Sequence, residues 1–236
     1  MSARLFIAEA LAPDRALVRG AEARHLAVVL RAHPGQEFDL AIAGQRFRAA
    51  VAAAAPEAVE FRDLRPLPAP AVRRQLTLLA AIFRFERFEW MIEKATEMGA
   101  AAIQPVVAAR TAPHLARAAA ARQARWERLA LNAAQQARRI APPRILPVMN
   151  WRVVLAAAET APEESVLLSE HGDAPPLAQL IQGAGAARLA VGPEGGWSEE
   201  EHDAALQAGF AAASLGPLIL RAETAAIAAL ALWLLA

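Results

Sequence analysis

The sequence has no cysteine in its 236 residues. This absence excludes disulfide bridges, thiolate metal sites and a cysteine nucleophile, and it fits a reducing compartment. Residues 1–20 mix charges into the apolar run, so we expect no secretory signal there. We therefore expect a cytoplasmic protein.

Long hydrophobic runs are also scarce. The longest, AAIAALALWLLA at residues 225–236, is well short of the roughly 20 apolar residues that span a bilayer. It predicts a buried helix and not a membrane segment.

The signatures of several enzyme classes are missing. There is no G-x-G-x-x-G dinucleotide fingerprint and no P-loop, which leaves a nicotinamide-dependent oxidoreductase poorly supported. The five histidines are neither closely paired nor in H-E-x-x-H spacing, so we expect no metal site. Ser169 and His171 lack the G-x-S-x-G context of a nucleophile elbow.

Lysine occurs once, as Lys94, but arginine is plentiful and unevenly distributed. Residues 110–152 hold nine arginines and one acid, whereas residues 159–203 hold ten acids and one arginine. Clustered guanidinium groups are typical of a surface that binds a polyanion such as RNA. A solvated helix surface is the alternative that charge alone leaves open.

The first 70 residues predict a small β-barrel. Short runs such as EFDLAI and RFRAAV alternate in polarity, as half-buried strands do, and Pro34, Gly44 and Pro56 interrupt them. The segment RHLAVVLR, residues 24–31, favours a short amphipathic helix. Three prolines in RPLPAPAVRR then indicate a linker, so we expect one domain at 1–70 and a second at 71–236.

From residue 75 onward, apolar strand-like runs alternate with helical segments, which is typical of a parallel sheet covered on both faces. Helices are expected around RFERFEWMIEKATEMG, residues 126–139, residues 176–184 and from about Thr224. Ser198 with Glu201 fits a capping box at the start of another helix. The chain is therefore expected to be an α/β protein.

Two loops near the end of the chain are the strongest candidates for a ligand site. GPEGG, residues 192–196, and the loop around Pro217 each follow a strand-like run and precede a helix. Ligands of open α/β sheets bind at the carboxyl ends of strands, where glycine lets the backbone approach them. Plain turns are the alternative.

The run VGPEGGWSEEE followed by SLGPLILRAETAAIAAL resembles the C-terminal signature of the ribosomal RNA small subunit methyltransferase E family. RHLAVVLRAHPGQE and IEKATEMGAAAIQPVVAART resemble its other two motifs, in the same order along the chain. This family methylates N3 of a uridine in 16S ribosomal RNA, uridine 1498 in the family. The resemblance implies an N-terminal PUA-like β-barrel, a SPOUT-type α/β domain with a C-terminal trefoil knot, and a homodimer. It also implies that the substrate is 16S rRNA within the small ribosomal subunit.

The same resemblance implies S-adenosylmethionine as the cofactor and assigns its site by position. The expected lining residues are Leu168, Ser169, Glu170, Gly192, Pro193, Glu194, Gly195, Gly196, Leu215, Gly216, Leu218, Ile219, Leu220, Arg221 and Thr224. Arg221 is the expected catalytic residue, stabilising negative charge on the uracil, and Glu223 is a candidate base or orienting group whose alternative role is an ion pair with Arg221.

RNA contacts are likewise expected at the positions that match basic residues of the family. These residues are Arg24, His25, Arg31, Arg84, Arg87, Lys94, Arg110 and Arg139. For Lys94, pairing with Glu97 is the alternative that remains open.

One helix departs from the family pattern. Where the family usually has EAAEQ followed by a small residue, glycine and arginine, this chain has NAAQQARR at residues 132–139. Two carboxylates are replaced by amides and a glycine by Arg138. Two other functions therefore stay open: a SPOUT methyltransferase for another RNA nucleotide, and a non-catalytic RNA-binding or assembly protein.

Overall fold

The computed structural model describes residues 5–68, 74–158, 164–170, 174–181 and 185–235. The chain divides into two compact units. The first comprises Met1–Ala71 and Leu131–Pro142, and the second comprises Val72–Ala130 and Pro143–Ala236.

The first unit is built on a six-stranded sheet in the order β1-β4-β5-β6-β3-β2. Only the β1–β4 pair is parallel. In the described residues the sheet is open along this path, with β1 and β2 at its edges. The strands are β1 (Leu5–Ile7), β2 (Glu9–Ala12), β3 (Arg15–Arg19), β4 (Glu37–Ile42), β5 (Gln45–Ala54) and β6 (Ala58–Leu67).

The predicted helix in RHLAVVLR takes another form. A short helix α1 (Gly20–Arg24) precedes it and continues as a π-helical turn, His25–Val29. Leu26 is buried in this turn, whereas Val28 and Val29 are exposed. The wider turn does not keep the one-sided apolar face of a regular α-helix, which explains the difference.

The core of the first unit follows from strand alternation. Phe38, Leu40 and Ile42 of β4 are buried on one face, as their period-two spacing predicts. Phe38 makes edge-on contacts with Phe6 and Phe61, with ring centroids 5.8 and 6.2 Å apart. These aromatic pairs join β1, β4 and β6 into one hydrophobic core.

The second unit has a parallel sheet in the order β10-β8-β7-β12-β11-β13, with β9 also paired to β8. Its strands are β7 (Gln75–Ala81), β8 (Ala102–Val107), β9 (Arg144–Ile145), β10 (Met149–Asn150), β11 (Glu164–Leu168), β12 (Ala186–Val191) and β13 (Ala211–Ala213). Its helices are α2 (Phe85–Met98), α3 (Pro113–Ala119), α5 (Trp151–Ala158), α6 (Leu177–Leu180), α7 (Glu199–Gln207) and α8 (Ala222–Leu235). Helix α4 (Gln123–Gln136) begins in this unit, and its residues from Leu131 onward belong to the first unit. The expected α/β fold is confirmed.

Helices α2 and α8 pack against this sheet through fully buried side chains. Phe88 of α2 lies 5.0 Å from Trp126 of α4 between ring centroids, and Leu230 of α8 joins the same core. Leu76 and Leu78 alternate from β7 into this layer, whereas Leu79 faces the core on the opposite side. Both faces of the sheet are therefore covered, which accounts for the continuous apolar runs of its central strands.

Several predicted boundaries are wrong. Helix α4 ends at Gln136, three residues before the expected end, and α6 covers only Leu177–Leu180. The run SLG, residues 214–216, predicts a short strand, but the strand lies at Ala211–Ala213, and α8 begins at Ala222. The apolar run VLLSEHG predicts a strand at residues 166–172, of which residues 171 and 172 lie outside the described residues, as do residues 182–184 of the predicted helix.

Arg138, which stands where the family pattern has glycine, lies just after the end of α4. Arg138 adopts a left-handed backbone with φ of 55°. The N–H of Arg138 donates to the carbonyl of Gln135, and the N–H of Arg139 donates to the carbonyl of Ala134 over 2.8 Å. These two bonds form a Schellman motif, whose left-handed residue is usually glycine. Arg138 therefore occupies a position that favours glycine.

Candidate ligand-binding site

A cavity of about 410 Å³ lies at the carboxyl edge of the parallel sheet. The loops that form it follow β8, β11, β12 and β13, so the parallel strand directions bring them to one edge. Its lining residues are Arg110, Leu168, Ser169, Glu170, Val191, Gly192, Pro193, Gly195, Gly196, Trp197, Glu199, His202, Ser214, Leu215, Gly216, Pro217, Leu218, Ile219, Leu220 and Ala225.

The GPEGG loop turns tightly beside this cavity. The N–H of Gly196 donates to the carbonyl of Pro193 over 2.9 Å, and Gly196 has a φ of 71°, which favours glycine. A Cβ on Gly192 would lie 3.2 Å from Nε1 of Trp197. Glycine at position 192 therefore leaves room for an indole ring that lines the cavity.

The ring of Trp197 packs against a second tryptophan. Its ring stacks on Trp151, with centroids 4.5 Å apart and an interplanar angle of 27°. Trp197 is buried, and its Nε1 has no hydrogen-bond partner among the described residues. A buried N–H without an acceptor carries a desolvation cost.

The predicted capping box at the start of α7 is present. Ser198 Oγ accepts from the N–H of Glu201, and the Glu201 carboxylate accepts from the N–H of Ser198, both over 3.2 Å. The other oxygen of Glu201 accepts from the N–H of Ala109 over 2.7 Å. One carboxylate therefore connects the loop after β8 to the loop after β12.

Ser169 and His202 meet on the wall of the cavity. Oγ of Ser169 lies 3.3 Å from Nε2 of His202, and Nδ1 of His202 lies 3.6 Å from Asp203. The N–H of Ser169 also donates to the carbonyl of Ala213 over 2.9 Å. The loop after β11 is thus held by both α7 and β13.

The loop between β13 and α8 forms the outer wall of the cavity. Ser214 Oγ accepts from the N–H of Gly216 over 3.1 Å, which supports a turn at this glycine with φ of 116°. Leu218 and Ile219 are 77% and 83% exposed, although they line the cavity. Large apolar side chains this exposed are available to cover a bound molecule.

The cavity brings together most of the expected cofactor residues, but not Glu194, Arg221 or Thr224. Glu194 lies toward Arg84, whose Nε is 3.9 Å from its carboxylate. Arg110, Trp197 and His202 line the cavity without having been assigned to it from the sequence. Only Trp197 had a sequence signal, its position directly after GPEGG.

Arg221, Glu223 and Thr224 line a second cavity of about 690 Å³, together with Arg87 and Trp90. Nη1 of Arg87 donates to Oε1 of Glu223 over 3.2 Å, so Arg87 is the ion-pair partner of Glu223 that the structure describes. Glu223 is buried, and its Oε2 has no hydrogen-bond partner among the described residues. One oxygen of this carboxylate is therefore free to accept a proton or a hydrogen bond.

A second buried carboxylate lies near this cavity. Glu89 accepts hydrogen bonds of 2.8 Å from Arg122 and from both Nε and Nη2 of Arg125. The hydrogen bond from Arg125 lowers the pKa of Glu89 from its ordinary 4.5 against the opposing effect of burial, and Arg122 acts in the same direction. These contacts fix α2 to the chain around α4.

The residues expected to bind RNA fall into both units. In the first, Arg24 and Arg31 are exposed, and His25 packs 6.4 Å from the ring of Phe6. Arg139 is half-buried, and burial lowers the pKa of its guanidinium from the ordinary value, although an arginine stays charged at neutral pH.

In the second unit, three of the four expected RNA contacts pair with carboxylates. They are Arg84 with Glu194, Arg87 with Glu223, and Lys94 with Glu97 at 2.7 Å. The alternative for Lys94 is thus the observed contact. Exposed pairs of this kind contribute little energy, so a phosphate could still displace Glu194 or Glu97.

The described residues contain no group of three or more acids and histidines arranged to hold a metal ion. No helix within them has the length and apolar character needed to cross a membrane.

Comparison with known proteins gives consistent matches. The RNA methyltransferase domain family matches residues 70–234. Ribosomal RNA small subunit methyltransferase E of Mycobacterium bovis is 34% identical over 238 residues, covering 98% of this chain and 90% of that protein.

Solved structures agree. Ribosomal RNA small subunit methyltransferase E of Neisseria gonorrhoeae bound to S-adenosyl methionine has a TM-score of 0.83 and 31% identity, covering 97% of this chain and 95% of that one. A methyltransferase of Legionella pneumophila in complex with the cofactor SAM has a TM-score of 0.83 and 26% identity, covering 97% and 96%.

Proposed function

Because the chain belongs to the ribosomal RNA small subunit methyltransferase E family, we propose that it methylates N3 of a uridine in 16S ribosomal RNA with S-adenosylmethionine as methyl donor. The observation that carries this proposal is the cavity of about 410 Å³ between the GPEGG loop and the loop around Pro217.

The residues of this cavity fit the cofactor. Its volume lies within the range of about 300 to 1,000 Å³ that is typical of small-molecule sites. Gly192, Gly195 and Gly196 let peptide groups approach a nucleoside, while Leu215, Leu218 and Leu220 offer apolar contacts for its base. The unpartnered Nε1 of Trp197 adds a buried donor.

The cofactor supplies a methyl group on a positively charged sulfur, and the protein supplies alignment and charge placement. Arg221 stabilises the negative charge that develops on the uracil oxygens when N3 loses its proton. Glu223 accepts that proton through Oε2, while Arg87 holds the other carboxylate oxygen in place. Arg221 immediately precedes α8 and Glu223 lies in its first turn, directly after the loop that lines the cofactor cavity.

The rest of the architecture supports binding of a large RNA. We propose that residues 1–70 form a PUA-like RNA-binding domain and that residues 71–236 form the SPOUT domain, with a trefoil knot in its C-terminal part. Arg24, His25, Arg31, Arg84, Lys94 and Arg139 contact the RNA. The enzyme works as a homodimer on 16S rRNA in the small ribosomal subunit, and therefore in the cytoplasm.

Two measurements on the full chain test this function. Calorimetry is expected to detect binding of S-adenosylmethionine, and mass-spectrometric mapping is expected to detect one N3-methyluridine in 16S RNA. The RNA should be offered both naked and in assembled small subunits. A methyl group at another nucleotide would favour a different RNA methyltransferase, and no cofactor binding would favour a non-catalytic RNA-binding protein.

A further inference from the structure

Arg110 lies across the GPEGG loop at the rim of the cofactor cavity. Its Nη1 donates to the carbonyl of Gly195 over 2.6 Å. A Cβ on Gly195 would lie 3.4 Å from Cδ of Arg110, so the absence of a side chain at this glycine makes room for the arginine. The sequence assigned Arg110 to RNA, but its position is on the cavity wall.

The backbone that carries Arg110 is held on both sides. The preceding N–H, that of Ala109, donates to the carboxylate of Glu201, and Thr111 exchanges hydrogen bonds with Ala108 over 3.0 and 3.1 Å. A guanidinium on a fixed backbone loses little conformational entropy when it binds an anion. Four of its five N–H groups remain after the bond to Gly195.

Glu170 faces the same space from the loop after β11. A Cβ on Gly196 would lie 3.5 Å from Oε1 of Glu170 and 3.9 Å from Nη1 of Arg110. The two charged groups therefore lie near the same position on the cavity wall, and no ion pair joins them among the described residues. Arg110 is also the only arginine or lysine that lines the cavity in the described part of the chain.

We propose that Arg110 and Glu170 together hold the amino-acid end of the cofactor, Arg110 binding its carboxylate and Glu170 its ammonium group. The inference rests on the proposed function, because it assumes that S-adenosylmethionine occupies this cavity. Opposite charges at one side of the cavity match a zwitterion, whose ammonium and carboxylate groups are attached to the same carbon. The arrangement makes Arg110 a cofactor-binding residue and not an RNA contact.

Two nucleosides that differ only in the amino-acid end provide the test. S-adenosylhomocysteine carries this group, whereas 5′-methylthioadenosine lacks it. Calorimetry with the full chain is expected to show that Arg110→Ala weakens S-adenosylhomocysteine about tenfold or more and leaves 5′-methylthioadenosine within about twofold. Glu170→Gln should show the same selectivity, and Arg110→Lys should restore part of the loss.

Arg117→Ala is the matched control, since this exposed arginine of α3 does not line the cavity. Equal weakening of both nucleosides by Arg110→Ala would overturn the proposal, because it would show that the arginine only supports the loop. Unchanged binding of both, with weaker binding of RNA, would overturn it in favour of an RNA contact. If the wild-type chain binds neither nucleoside, the proposed function itself is wrong.

Discussion

Arg87 of α2 donates a hydrogen bond of 3.2 Å to the buried carboxylate of Glu223 at the start of α8, 136 residues later in the chain. Replacing Arg87 with alanine would leave this carboxylate buried without its partner. We expect Arg87→Ala to lower the free energy of unfolding by about 1–3 kcal/mol, measured by urea denaturation. Lys94→Ala breaks the more exposed pair with Glu97 and should cost less than about 1 kcal/mol. If both variants lower the free energy of unfolding by less than about 1 kcal/mol, the contact between Arg87 and Glu223 stabilises the fold no more than an exposed ion pair does.

Arg221 is exposed and lies outside the cofactor cavity, so its loss should affect the reaction and not cofactor binding. We expect Arg221→Ala to reduce methyl transfer to RNA by about 100-fold or more, as removal of a group that stabilises an oxyanion does. Affinity for S-adenosylhomocysteine should stay at the wild-type value. Full turnover of Arg221→Ala with normal cofactor binding would exclude the proposed role.

The lowered pKa of Glu89 predicts the direction in which the free energy of unfolding changes with pH. Its pKa is lower in the folded protein than the ordinary 4.5, so its stabilising effect is present above about pH 4.5 and is lost as the pH falls through the lower folded value. Wild type should therefore be more stable than Glu89→Gln at pH 7, and this difference should shrink below about pH 4.5. Urea denaturation of both proteins across that window measures it, and a difference that does not change with pH would contradict the prediction.

The left-handed backbone at Arg138 predicts a stabilising substitution. A residue with a side chain costs about 1–2 kcal/mol in this conformation, which glycine adopts freely. We expect Arg138→Gly to raise the melting temperature by about 2–4 °C in a calorimetric scan. Arg138→Ala keeps the Cβ and should not. A fall in the melting temperature of the glycine variant would mean that contacts of the arginine side chain outweigh the backbone strain.

Arg24 and Arg31 are exposed in the first unit, and RNA phosphates are their proposed partners. Arg24→Glu and Arg31→Glu should each weaken RNA binding and reduce the slope of log K against log salt by about one. Arg62→Glu, at an exposed position on β6, is the control for a change in net charge alone. If the slope of log K against log salt for these variants equals that of wild type and of Arg62→Glu, the two arginines do not contact the RNA.

The sequence was most informative where one local pattern determines one local structure. Continuous apolar runs identified β7 and β12, and the S-x-x-E spacing identified the capping box at Ser198. Each of these depends on residues close together in the chain. The end of α4 was missed because Arg138 is an unusual residue for the left-handed position that ends that helix.

The loops of the site could be predicted from the sequence, whereas contacts between residues that are distant in the sequence could not. The glycines of GPEGG mark a close approach of the backbone, and they do line the cavity. The contacts of Arg110 with Gly195 and of Arg87 with Glu223 join residues 85 and 136 positions apart. From the sequence, both arginines were expected to lie on an RNA-binding surface. Only the order of the strands in the sheet shows which loops come together.

The stacked pair of Trp151 and Trp197 gives the protein an optical probe of its own. Of the five tryptophans, Trp197 alone lines the cavity in the described part of the chain, so its ring is the one whose surroundings change when the cavity is filled. Occupancy of the cavity can therefore be followed by intrinsic fluorescence without a label. A Trp197→Phe variant would identify the part of the signal that comes from this ring.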